Sequence, residues 1–294
     1  MCQIFPAATP AVKIFYLFIF LIPCTIVAVV SIGLITMVIG KSEQSGLWTL
    51  YASMFVQGVC MFVLPVYFAL KATNSQPITY LKLNKNERLD EKILFGLFVF
   101  FAAYVFVLFL THWNKTIELP ESMRGIEQWM HTKEDMAIAT TERLLSVQTI
   151  GELLMNILII GVVAAVAEEI IFRGALQQFL QEWTRNGHIA VWISAFIFSA
   201  VHLQFFGFFP RLVLGALLGY LFLYTQNLWI PIFVHFFNNT LVVIVNYFWK
   251  NAEWLKNTEK IEITPTFFVL AMVSLATTIL LFHKFRKSEN PKVL

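Results

Sequence analysis

Glu168, Glu169, Arg173, His202, His235 and Asn239 are the side chains whose types and spacing suit chemistry. The first three fall in the run Ala167-Glu168-Glu169-Ile170-Ile171-Phe172-Arg173-Gly174, and all six stand in strongly apolar surroundings. Charge at membrane depth is costly and is usually functional. On a helix, neighbours in sequence lie ~100° apart while positions four apart stack on one face. Glu169 and Arg173 therefore pair, and Glu168 points elsewhere, unpaired by its neighbours, as a base inside a membrane should be. His235 and Asn239, also four apart, project together. Hydrolysis of a peptide needs a base to activate water, donors at the developing oxyanion and an acid for the leaving amine. Glu168 would be the base and later the acid. His202 would hold the same water or share its proton, and His235 and Asn239 would donate to the oxyanion. Arg173 would neutralise Glu169 and lock the rotation of its helix.

Other readings of the same residues compete. An intramembrane histidine such as His202 also serves as a plain interhelical hydrogen-bond partner, and Glu169 with Arg173 would make a structural pair. Asn238 competes with Asn239, but the spacing from His235 favours Asn239. Glu152, Asn156 and Asn246 read as helix-end or bundle hydrogen-bond groups, and His112, His131, His188 and His283 as loop or border residues. One glutamate and two histidines form a possible zinc set, yet no H-E-x-x-H spacing occurs, so the expectation is no metal and no cofactor. Cys2, Cys24 and Cys60 are too few and too scattered for a disulfide framework or a thiolate site, and Cys2 has no apolar segment before it that would mark a lipid attachment. A different class of function would use the buried polar cluster without catalysis: bacteriocin immunity, ligand binding or proton-coupled transport. Transporters often carry internal repeats, and none is found.

The elements that must position these groups are membrane helices. The 294 residues are 58% hydrophobic and 13% charged, with 30 Phe, against the ~25% charged of a soluble domain. A bilayer core ~30 Å thick needs ~20 apolar helical residues to cross it. The stretches 14–39, 47–70, 93–110, 150–175, 189–209, 212–224, 229–249 and 267–282 qualify, giving an all-α polytopic bundle of about eight spans. The sixth is short and fenced by Pro210 and Pro231, so it reads as a half-span or re-entrant segment. The fourth has no proline and runs on past Arg173 toward Trp183. The first is longer than a signal-peptide core and is read as retained. One membrane domain over residues 1–294 is expected, with the chemistry in a core of about 150–250. Gly215 and Gly219 form a small-xxx-small pair that lets a neighbouring helix approach.

Basic residues set the orientation. Lys71, Lys82, Lys85, Arg88 and Lys92 in the second loop and Lys284, Arg286, Lys287 and Lys292 in the tail belong in the cytoplasm, as does Lys13. The first loop sets Lys41 against Glu43, and the loop 111–149 mixes four basic with six acidic residues before an amphipathic approach to the fourth helix. An even number of spans, with both termini cytoplasmic in a bacterial inner (plasma) membrane, satisfies these signals. The net charge of +3 is then a topology signal and gives no support to nucleic-acid binding. The partners expected are the lipid bilayer and a peptide or protein substrate at the membrane.

The segment E-E-x-x-x-R from Glu168 to Arg173, F-x-x-x-H from Phe198 to His202 and H-x-x-x-N from His235 to Asn239 together resemble the CPBP family of intramembrane glutamate proteases. That family includes the type II CAAX prenyl endopeptidases and the bacterial Abi proteins. The likeness covers residues from about 150 to 249, and the three motifs arrive in family order and spacing. It implies a glutamate-dependent, metal-independent peptidase acting on a membrane-associated or CAAX-like substrate. The family's activating glutamate maps onto Glu168, its partner histidine onto His202, its oxyanion pair onto His235 and Asn239, and its second glutamate and arginine onto Glu169 and Arg173.

Overall fold

The computed structural model describes residues 8–39, 43–84, 88–258 and 261–289. Cys2, Lys41, Lys85, Lys292 and the Glu43 side chain lie outside the described residues. Among those described there is no strand. The main helices are α1 (Pro10–Ile39), α2 (Glu43–Gln57, continuing through a π-helical turn Gly58–Val63 into Leu64–Ala72) and α3 (Leu89–Lys115). They are followed by α4 (Arg124–Leu145), α5 (Ile150–Thr184), α6 (Gly187–Ala200), α7 (Phe208–Thr225), α8 (Trp229–Trp249) and α9 (Pro265–Glu289).

Seven of the described helices are long and apolar enough to cross a bilayer: α1, α2, α3, α5, α7 with the turn before it, α8 and α9. The 14 residues of α6 rise about 21 Å at 1.5 Å each, short of a ~30 Å hydrocarbon core. The expected lengths of the fifth and sixth spans are thus exchanged. The fifth stops at Ala200, because the chain turns there with Leu203 at φ 54. The sixth is complete from Phe205 to Thr225. Pro210 and Pro231 do not fence it. Each sits in the first turn of its own helix, α7 and α8, where no intrahelical N–H bond is lost.

α5 is the axis of the bundle. It begins on a capping box, with Thr149 Oγ1 accepting from the Glu152 N–H at 3.2 Å and Glu152 Oε2 accepting from the Thr149 N–H at 3.0 Å. It continues to Thr184, and π-helical turns at Ile157–Val163 and Ile170–Gln177 bracket the α-helical Ala164–Glu169. Phe172, Ala175, Leu176 and Phe179 pack there against Leu17 of α1, Val66 and Leu70 of α2 and Phe198 of α6. A second cluster joins Val99 and Phe100 of α3, Leu217 and Leu221 of α7, and Ile230 and Val234 of α8. Lipid is as apolar as these side chains, so close packing and interhelical hydrogen bonds hold them. The outer helices show the lipid-facing side directly: Phe18, Ile22, Val29 and Met37 on α1 and Val269, Val273 and Leu280 on α9 are all exposed. A continuous apolar surface of that kind fits hydrocarbon.

The interval 111–149 is mostly helix. α4 is amphipathic and largely exposed, and it rests on the turn that joins α6 to α7. The Trp129 ring lies 5.3 Å from that of Phe205, His131 lies 4.6 Å from Phe206, and the Phe206 N–H donates to Glu134 Oε2 at 3.4 Å. From α3, Asn114 Nδ2 donates to the Phe205 carbonyl and its Oδ1 accepts from the Phe209 N–H, both at 2.9 Å. The turn is therefore clamped from two sides.

Candidate active site

Five helices and one turn converge on a cavity of about 340 Å³ whose polar lining includes Glu168, His202, Arg211, His235, Asn238 and Asn239. The rest of the wall is largely apolar, including Phe100, Phe198, Leu214, Leu218 and Val234. Glu168 and Glu169 come from α5, His235 and the asparagines from α8, Arg211 from α7, and His202 from the turn after α6.

Behind this wall stands a fully buried ion pair. Glu169 is 0% exposed and Arg173 is 1% exposed. Arg173 Nη1 donates to Glu169 Oε1 at 2.6 Å, and Nη2 donates across to the Gly215 carbonyl of α7 at 2.9 Å. The guanidinium carbon also lies 4.7 Å from the centre of the Phe198 ring. The pairing at four residues' separation is the one the sequence predicts. Glu169 has a second partner that the sequence did not disclose, for His235 Nδ1 lies 2.8 Å from the same Oε1. A carboxylate oxygen can only accept, so Nδ1 carries the proton, and a neutral His235 presents an unprotonated Nε2. That Nε2 stands 3.8 Å from Glu168 Oε2, too far for a direct hydrogen bond and close enough for one water to touch both.

His202 is fixed in the same way. Its Nδ1 is 2.7 Å from the Phe198 carbonyl, an acceptor, so Nδ1 donates and Nε2 is the outward nitrogen of the neutral ring. Its place in a turn rather than on a helix departs from the sequence reading. The imidazole within 4 Å of Glu168 is that of His235, whereas His202 shares only the cavity. Asn239 Nδ2 donates to the Ile160 carbonyl at 3.0 Å and its Oδ1 accepts from Asn238 at 3.1 Å, leaving one amide hydrogen of Asn239 for anything else.

Close approach of α6 and α7 brings these parts together. A Cβ on Gly215 would lie 3.1 Å from Phe198 Cδ1 and 3.3 Å from Ala195 Cβ, and one on Gly219 would lie 2.9 Å from Gln177 Oε1 and 3.0 Å from Val191 Cγ1. The small-xxx-small pair thus does the packing expected of it. Gln177 Nε2 donates to the Gly219 carbonyl at 3.0 Å, four residues along from the Arg173 bond to Gly215. Asn156 and Glu152 are structural as expected. Asn156 bridges Tyr51 Oη at 2.9 Å and the Leu144 carbonyl at 2.6 Å, and Asn246 bonds its own helix. Among the described residues no three His, Cys, Asp or Glu side chains are grouped to hold a metal ion.

Arg211 is the polar group of the cavity that the sequence reading passed over. A lone arginine next to Pro210 at the edge of an apolar run looks like an interfacial anchor. The signal available was its position one residue outside a span that carries no other charge.

Residues 150–241 match the family described as "Type II CAAX prenyl endopeptidase Rce1-like". Two Bacillus subtilis (strain 168) proteins are similar over the same scale. "Putative membrane peptidase YdiL" is 35% identical over 91 residues, 31% of this chain and 37% of that protein. "Uncharacterized protein YpbD" is 32% identical over 85 residues, 28% of this chain and 40% of that protein. The chain thus spans about two fifths of the length of the curated relatives it matches. No solved structure matches it with significance. The matched segment contains α5 from its first turn, α6, α7 and the part of α8 that bears His235 and Asn239. That segment is similar to the CAAX protease family, and the likeness covers about a third of the chain.

Proposed function

We propose that this protein is an intramembrane endopeptidase that hydrolyses a peptide bond of a membrane-associated or CAAX-like protein or peptide with a glutamate-activated water. The observation that carries the reading is the convergence of Glu168, His202, His235 and Asn239 on one apolar-walled cavity, with the Glu169–Arg173 pair holding His235 from behind. Water between Glu168 Oε2 and His235 Nε2 gives its proton to Glu168 as its oxygen attacks the scissile carbonyl carbon. Negative charge moves to the carbonyl oxygen, where the remaining Asn239 N–H donates. The intermediate collapses with cleavage of the C–N bond, and Glu168 returns its proton to the leaving amine. The products are a new carboxyl terminus and a new amine, and no metal takes part in these steps.

With α6 counted as a shorter eighth crossing, both termini lie on the cytoplasmic side, where Lys71, Lys82, Lys284 and Arg286 collect. The test is purified wild type and Glu168→Gln against a panel of membrane peptides, with products read by mass spectrometry. Wild type should cut and Glu168→Gln should lose about 100- to 10,000-fold in kcat/KM, the usual scale for a general base. A variant that cuts at the wild-type rate would end the glutamate mechanism. Activity abolished by a chelator and restored by zinc would replace it with a metal one.

A further inference from the structure

Arg211 lies in the wall of the cavity that holds Glu168, yet nothing in the hydrolytic scheme uses it. Its hydrogen bonds go to two neutral acceptors of one residue: Nη1 to the Gln204 carbonyl at 3.3 Å and Nη2 to Gln204 Oε1 at 2.7 Å. A guanidinium has five N–H donors in a rigid fork, so three remain. No carboxylate of the described residues is within ion-pair distance of it. The negative groups near enough to act through space are Glu168 from α5 and Glu134 from α4, and Glu134 accepts instead from the Phe206 N–H. The guanidinium lies close over Gly207, where an added Cβ would be 3.3 Å from Nη2.

A cation that is fixed by neutral partners, keeps donors to spare and faces an apolar cavity is set up to receive an anion. Low polarity strengthens the attraction, and a planar fork matches a carboxylate in two-point geometry. We propose that Arg211 binds a carboxylate of the peptide substrate, so that this site prefers peptides carrying a free carboxylate close to the bond that is cut. This rests on the endopeptidase reading only in taking the occupant to be a peptide.

The experiment uses the full chain in nanodiscs and three forms of one peptide: a free C-terminal acid, its C-terminal amide, and the amide with an aspartate near its end. Binding is measured to Glu168→Gln, and to Glu168→Gln carrying Arg211→Gln or Arg211→Lys. Cleavage KM and kcat are measured without the Glu168 change. The acid should bind about ten- to a hundredfold more tightly than the amide, the scale of a hydrogen bond to a charged group in a desolvated site. Arg211→Gln should remove that preference by weakening the acid alone, mainly in KM, while Arg211→Lys keeps part of it. If the aspartate form binds like the acid, the site accepts a side-chain carboxylate as well as the terminal one; if it binds like the amide, only the chain terminus is recognised. Equal binding of acid and amide to the Arg211 protein would overturn the proposal, as would failure of all three peptides to bind, or an Arg211→Gln variant that weakens acid and amide equally. If the preference holds in binding and wild type cuts none of the peptides, the hydrolytic reading fails while the carboxylate site stands.

Discussion

Replacing Arg173 with methionine probes the buried centre of the molecule most directly. The side chain fills most of the same space, so the loss is chiefly electrostatic. It removes the donors to Glu169 at 2.6 Å and to the Gly215 carbonyl at 2.9 Å, and the charge 4.7 Å from the Phe198 ring. Stranding one partner of a buried ion pair costs roughly 3–5 kcal/mol. A stranded carbonyl costs about 1–3 kcal/mol, and the desolvated ring contact about 2 kcal/mol. These describe one group and overlap, so we expect about 4 kcal/mol in all, a large part of a total stability of about 5–15 kcal/mol. Adding Glu169→Gln removes the stranded charge, so the double variant should be more stable than Arg173→Met by about 1–3 kcal/mol, the scale of coupling between contacting groups. The double variant should also cut poorly, because there His235 loses the carboxylate pairing that orients its ring. Equilibrium unfolding in mixed micelles, followed by tryptophan fluorescence, measures all four corners of the cycle. An Arg173→Met protein within about 1 kcal/mol of wild type, or singles that add up to the double, would refute the reasoning.

Gly219→Ala should destabilise by about 1–3 kcal/mol, since its methyl would press on Gln177 Oε1 at 2.9 Å and Val191 at 3.0 Å. Gly33→Ala, with open space around it, should be neutral or slightly stabilising in the same unfolding assay. Tyr51→Phe removes the hydroxyl that donates to buried Asn156 Oδ1 at 2.9 Å and should cost about 1–2 kcal/mol; no change would mean that water replaces it. At the membrane border, burial pushes the Lys82 ammonium below its usual range, partly opposed by Glu182 nearby. The unfolded chain then binds the extra proton between the lowered native pKa and the ordinary value of 10.5, so this residue's contribution raises stability as pH climbs through that window. Melting temperature against pH should show a shallower alkaline rise in Lys82→Met, and an unchanged slope would remove Lys82 as the cause.

What could be read from the sequence follows the range of the interactions involved. Glu169 with Arg173 was legible because one helix brings them together, and the pattern of apolar runs disclosed the all-helical membrane class. The bond from His235 Nδ1 to Glu169 needs α8 laid against α5, which no local spacing encodes. The border between the fifth and sixth spans was misread because Leu203 turns the chain with neither glycine nor proline to mark it, while Pro210 looks like a stop and is in fact in the first turn of a helix. Arg211 escaped notice for the same reason: on a linear reading it belongs to the edge of a span, and only the fold turns that edge toward Glu168. α4 was hidden by its charge, which lowers its hydropathy without weakening its helical pattern.

The two rungs from Arg173 to the Gly215 carbonyl and from Gln177 to the Gly219 carbonyl repeat every four residues on both helices. They fix how far α5 can slide along α7, since any slip of one residue unmakes both bonds at once in surroundings that offer no substitute. The axial offset of the inner helices is therefore set by polar bonding and does not follow the thickness of the surrounding lipid. When that thickness changes, the adjustment falls on α1 and α9, whose lipid-facing sides carry few such bonds and can tilt at modest cost. The axial offset between Glu168 on α5 and Arg211 on α7 is thereby insulated from the bilayer in which the protein sits.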